Sequence, residues 1–172
     1  MEEVVRDFVN SFDWKTGLMG MHQTMSNRAI VAALDLTRGG SIKHASAMQQ
    51  VRRWTNAISG ETTKQTRNPT PGVQDAFKRA AAADQLGGSP IQIEGDIAIE
   101  YDESDAGTRH VDSSNLRQDD GTRGVVPSAG LADLVLKGDY AKAGEQLGAD
   151  IMSAYGAPDL TIVSMSNVHI EY

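Results

Sequence analysis

The spacing of apolar residues changes near residue 90, and that change limits what the chain can fold into. Through residue 86 apolar side chains recur three and four apart, the signature of helices with one buried face. From residue 91 to 101 they recur at alternate positions, with Gly95 as the one interruption. Ile91, Ile93, Ile97, Ile99 and Tyr101 alternate with Gln92, Glu94, Asp96, Ala98 and Glu100, as in a strand with one buried and one acidic, solvated face. Helices first and strands later read as an α+β fold. The expected organisation is an N-terminal helical, helix-turn-helix-like, basic domain over residues 1–89 and a small acidic α+β domain over residues 90–172. With 40% hydrophobic and 23% charged residues, the 172-residue chain has the composition of a globular protein rather than a disordered or fibrous one.

Within the first part, residues 2–12 carry Val4, Val5, Phe8, Val9 and Phe12 at helical spacing, a helix expected to pack on the basic region. Residues 13–21 contain two glycines and read as a connector, and residues 22–36 as a second helix. Thr37-Arg38-Gly39-Gly40 is a turn and Ser41 suits an N-cap. Residues 42–58 form a third helix, 59–72 an exposed loop and 73–86 a fourth helix stopped by Gly87-Gly88-Ser89-Pro90. In the second part Gly95 suits a bulge or tight bend, and residues 102–124 form a long polar loop in which Val111 starts a short second strand. Residues 128–137 and 139–155 read as helices broken at Gly138. Residues 160–172 read as a closing strand, alternating at Leu160 and Ile162 and again at Val168, Ile170 and Tyr172, with a bulge between.

The net charge of -7 conceals an asymmetry. Residues 1–90 hold eleven Lys and Arg against eight Asp and Glu, whereas residues 91–172 hold five against fifteen. Within residues 27–79 the count is nine basic against three acidic, a +6 block ahead of an acidic half. Such a block is the electrostatic footprint of a nucleic-acid site.

The third helix gives that block a geometry. Ala47, Val51, Trp54 and Ile58 share one face, which is core. Lys43, Ser46, Gln50 and Arg53, with Gln49 beside them, make a polar face without a carboxylate, holding the donors and acceptors that base edges and phosphates require. With Arg38 in the preceding turn, this is the pattern of the second helix of a helix-turn-helix. Lys64 and Arg67 extend it into the loop as candidates for phosphate or minor-groove contact. An ordinary amphipathic helix with a solvated basic side, and a plain connector, have the same pattern.

Other chemistries find little. The absence of cysteine removes disulfides, thiolate metal sites and cysteine nucleophiles, and fits a reducing cytoplasm. The four histidines, at 22, 44, 110 and 169, never stand at the i, i+4 spacing of a helical zinc site. Asp102, Glu103, Asp105, Asp119 and Asp120 lack calcium-loop spacing, the Gly-Gly pairs lack the ending of a phosphate loop, and no nucleophile elbow occurs. The expectation is a non-enzymatic protein with no metal and no cofactor. No apolar run reaches the roughly 18 residues that cross a bilayer, and Met1-Glu2-Glu3 is acidic where a secretory signal is basic. A cytoplasmic protein without a membrane partner is expected.

Val51-Arg52-Arg53-Trp54, Gly60, Arg67-Asn68-Pro69 and Val73-Gln74-Asp75-Ala76-Phe77 resemble the helix-turn-helix region of the telomere terminal proteins of linear Streptomyces replicons. The order continues through a strand at 91–101, an Asp-rich turn from Ser104-Asp105 to Arg109, a helical stretch at 131–155 and a closing strand ending in Glu171-Tyr172. Proteins of that family bind telomeric DNA with a helper protein, and a hydroxyl primes DNA synthesis and becomes attached to the 5′ end. The resemblance implies double-stranded DNA as ligand, a DNA polymerase and a telomere-binding helper as partners, and Ser104 or Thr108 as the priming hydroxyl. A second reading is an oligomerisation or adaptor module whose acidic half meets a second copy or a basic partner through Glu94, Asp96 and Glu100, with residues 160–172 as an edge strand for pairing.

Overall fold

The computed structural model describes residues 1–24, 34, 43–61, 67–100, 107–117, 121 and 123–172. The fold is α+β. Its described elements are α1 (Glu2–Ser11), α2 (Trp14–Thr24), α3 (His44–Ile58), α4 (Pro71–Gly88), β1 (Gln92–Glu100), β2 (Gly107–Asp112), a 3₁₀ turn (Ser113–Asn115), α5 (Ala129–Lys137), α6 (Tyr140–Ala154) and β3 (Thr161–Glu171). The strands form one antiparallel sheet ordered β2-β1-β3.

Residues 13–21 are not a connector. They enter α2, whose start is capped by Asp13: its carboxylate accepts from the Lys15 amide at 3.2 Å. Gly17 serves packing rather than turning, because a Cβ there would stand 2.7 Å from the Phe77 carbonyl oxygen of α4. The second helix expected over residues 22–36 lies mostly outside the described residues, as does Ser41, the expected cap of α3. Lys43 occupies the N-cap of α3 instead.

Two apolar clusters build the interior. One gathers Leu18, Leu34, Ala47, Val51, Trp54, Val73, Ala76, Phe77 and Ala80 between α2, α3 and the first half of α4. The other joins the end of α4 (Ala82, Ala83, Leu86) to β1, α5, α6 and α1. The two clusters adjoin along α4. The expected packing of α1 on the basic region is also overturned: Val4, Val5, Phe8 and Val9 are buried with the sheet and α6. Gly144 explains how α1 fits, since a Cβ on it would lie 2.7 Å from the Glu2 amide nitrogen.

The break between α5 and α6 follows from local chemistry. Gly138 ends α5 in the left-handed region at φ 76°. Its amide and that of Asp139 return to carbonyls of the last turn, and Asp139 then caps α6 through the Lys142 amide. Arg79 locks this corner to α4. It donates to the Leu136 carbonyl at 2.7 Å and pairs with Asp75 at 2.9 Å, with only 12% of its side chain exposed.

The nine residues of β1 face the eleven of β3, and two register shifts absorb the difference. At the first, Asn167 takes φ 53° and the β3 backbone leans onto β1. Gly95 sits opposite, where a Cβ would approach the Met165 methyl within 2.8 Å and the Ser166 carbonyl within 3.0 Å. The expected Gly95 irregularity and the bulge within the closing strand are thus one feature seen from two strands.

Candidate nucleic-acid interface

α3 is fixed by its buried side. Ala47, Val51, Trp54 and Thr55 are buried, Trp54 meets Phe77 edge-on with ring centroids 5.7 Å apart, and the Thr55 hydroxyl donates to the Val51 carbonyl. The opposite side is presented to solvent. At 100° per residue, Arg52, Asn56, Gln49, Arg53, Ser46, Ala57 and Gln50 fall within an arc of roughly 160°. Ser46, Gln49, Arg52, Arg53 and Ala57 are exposed and Gln50 and Asn56 half-buried. No carboxylate occurs from His44 to Ile58. Ser46 to Arg53 covers roughly 10 Å of helix axis, close to the ~12 Å width of a B-DNA major groove.

Sequence reasoning placed Lys43 on this face. It is instead the N-cap, exposed and with extended backbone, so its ammonium leaves from the end of α3 rather than its side. Gln50 lies nearer the core than Gln49, because it borders Trp54 on the helical wheel. Arg52, which the residues expected on this face leave out, is fully part of the exposed arc.

The Arg67 backbone is tied to α3 through a contact that residue spacing does not reveal. The Trp54 indole N–H donates to the Arg67 carbonyl at 3.2 Å, and the Gln74 amide donates to the Pro69 carbonyl at 2.8 Å. Buried Pro69 anchors the returning loop, so exposed Arg67 is held beside the helical turn that carries Arg53. No ion pair links Lys43, Arg52, Arg53 or Arg67 to another described residue. Arg79 is different: it belongs to the basic block by count but is consumed in the α4–α5 corner. Arg38 and Lys64 lie outside the described residues.

Ser104 also lies outside them, as do Asp102, Glu103, Asp105, Asp119 and Asp120. Thr108 is exposed on β2 opposite Ala98. The outer sheet face beside it is polar. His110 lies between two β1 carboxylates, Nδ1 at 3.1 Å from Asp96 and Nε2 at 3.6 Å from Glu94. Asp96 also accepts from the Asn167 amide at 2.8 Å, so one carboxylate links all three strands. Those hydrogen bonds, Asn167 first and then His110, hold the Asp96 carboxyl below its ordinary value. Among the described residues no group of three or more His, Asp or Glu is arranged to hold a metal ion, and no helix is long and apolar enough to cross a membrane.

Comparison with protein-family models, curated proteins and solved structures found no match for this chain, so the functional reading rests on its own residues.

Proposed function

We propose that this protein binds double-stranded DNA in the cytoplasm, with the outer face of α3 in the major groove and Lys43 and Arg67 on the flanking phosphates. The observation that carries the reading is the exposed, carboxylate-free face of α3 with Arg67 held beside it. Ser46, Gln49, Gln50 and Arg53 are the base-reading residues in this proposal, since amide and guanidinium groups make the bidentate contacts that discriminate bases. A homo-oligomer presenting two such faces reads two half-sites. The terminal-protein resemblance extends the proposal to replicon ends, with a DNA polymerase and a telomere-binding helper as partners and Thr108 as the described candidate for the priming hydroxyl.

The test is titration of the full chain with mixed genomic fragments and replicon ends across a salt series. Saturable binding with a steep negative salt slope is expected. Arg53→Ala and Gln49→Ala should each weaken specific binding by roughly 1 to 3 kcal/mol, and Arg67→Ala should lower the salt slope by about 1. No binding at low salt, or no loss in the α3 variants, refutes the assignment. Adduct mapping at Thr108 after replication with the polymerase tests the priming step separately.

A further inference from the structure

A groove of about 380 Å³ runs between α1 and β3, on the side of the molecule built by the second apolar cluster. Six consecutive β3 residues, Met165 through Ile170, line it. Alternate residues would mark a sheet face; consecutive ones mean that the margin of the strand, main chain included, borders the groove. β3 is a terminal strand in the order β2-β1-β3, so no described strand pairs with that margin. The facing wall is α1, with buried Val4 and Phe8 below and exposed Glu3 and Asp7 at the rim. Half-buried Met165, Val168 and Ile170 complete an apolar floor. Neither Glu3 nor Asp7 is ion-paired with a described residue, and no Lys or Arg lines the groove.

We propose that this groove is a docking site for an extended segment of a partner protein in which Lys or Arg alternates with apolar residues. The segment adds to β3 as a further strand, places its apolar side chains against Phe8 and Val168, and directs its cations at Glu3 and Asp7. Six strand residues span roughly 20 Å, which sets the length of the segment. Charge selects this occupant over a second copy. β3 contains no Lys or Arg between Thr161 and Glu171, so pairing with its own copy leaves Glu3 and Asp7 without a counter-charge. The inference is independent of DNA binding, because α3 belongs to the other apolar cluster.

The experiment uses the full chain and a fluorescein-labelled ten-residue peptide of alternating lysine and valine, followed by anisotropy and by amide exchange. Saturable binding is expected, with slowed exchange at residues 165–170. Replacing the peptide's lysines by glutamate, or making the double variant Glu3→Lys/Asp7→Lys, should weaken binding at least about tenfold. The glutamate peptide should regain affinity for that double variant. N-methylation of one of the peptide's two sets of alternate residues should abolish binding, because it removes the main-chain donors. Both substituted residues are exposed, so an unchanged melting curve is the folding control. Absence of peptide binding, binding indifferent to the charge reversal or to N-methylation, or a reversible dimer that protects residues 165–170 would each overturn the proposal.

Discussion

Gly17→Ala separates two opposed effects cleanly enough to decide between them by sign. Within a helix, alanine is favoured over glycine by about 1 kcal/mol, so propensity alone makes the variant more stable. The structure predicts the reverse. The added methyl would lie 2.7 Å from the Phe77 carbonyl oxygen and 3.2 Å from the Ala81 Cβ. The first contact is with backbone, which has no rotamer to yield, so α2 and α4 must separate along the apolar cluster holding Leu18 and Phe77. Overpacking of this kind costs roughly 1 to 3 kcal/mol, leaving a net loss of about 1 kcal/mol after the propensity gain. Gly130→Ala is the control. Gly130 is also helical, in α5, but has nothing within 4 Å of its added Cβ, so the substitution should gain about 0.4 to 1 kcal/mol. The two variants should differ by about 2 kcal/mol, or roughly 4 to 8 °C in Tm for a chain of this length. Urea unfolding and thermal melts followed by circular dichroism measure both. If Gly17→Ala melts at or above the parent temperature, the close crossing of α2 on α4 is refuted.

Three other substitutions probe different parts of the framework. Ser113→Ala removes the hydroxyl that accepts from the Ile93 amide at 2.6 Å inside the protein, and should cost about 1 to 3 kcal/mol in urea unfolding; a loss under about 0.5 kcal/mol would mean that the amide finds another partner. Arg79→Met removes the donor to Leu136 and the partner of Asp75, and should cost about 2 kcal/mol, with Arg79→Lys giving little rescue because one ammonium does not reproduce the planar fork. Equal stability of the lysine variant and the parent would contradict that geometry. The Asp96 carboxyl is held below its usual value in the folded state, so its stabilising effect is complete above the ordinary value of 3.8 and fades as pH falls through the folded value. Asp96→Ala should therefore be less stable than the parent at neutral pH, with the gap closing in acid; a pH-independent gap in unfolding midpoint would refute the three-strand link.

Much of the secondary structure was legible because burial imposes periodicity. Residues 42–58 and 73–86 anticipate α3 and α4 to within two residues at each end, and Gly138 ends α5 where expected. Periodicity says that a face is buried but not against what. The apolar stripe of α1 was plain, yet its partner is α6, and what admits it is the missing side chain of Gly144, far away in the chain. The same ambiguity concealed α2. Glycine marks either a turn or a close approach, and Gly17 is the second kind because a backbone carbonyl from residue 77 lies across it. The candidate interface was legible in its residue types, because a carboxylate-free face can be read from helical spacing. Its composition was less so. Charge counts weigh every cation equally, whereas Arg79 is spent on packing and Arg67 is brought beside α3 by a tryptophan thirteen residues earlier.

β3 shows why the sheet was harder to read than the helices, and why its free margin is unusual. The residues of β3 that join the apolar cluster are Ile162, Met165, Val168 and Ile170, separated by three, three and two. The two spacings of three taken alone resemble part of a helix more than a strand. The register with β1 resolves the conflict: each three-residue step contains one extra residue, and each extra residue restores the next side chain to the inner face. Alternation survives only near the ends of the strand, which is where it was visible in the sequence. A bulge also twists a strand and interrupts regular pairing, a common means of protecting a sheet edge. Here the Asn167 bulge falls within the stretch that borders the α1 groove. Long, flat pairing with another strand is thereby disfavoured, and main-chain hydrogen bonds alone select weakly among partners. Recognition at this margin must then draw on what stands across from it, the Phe8 floor and the Glu3 and Asp7 rim, and that requirement restricts the site to a short segment of matching side chains.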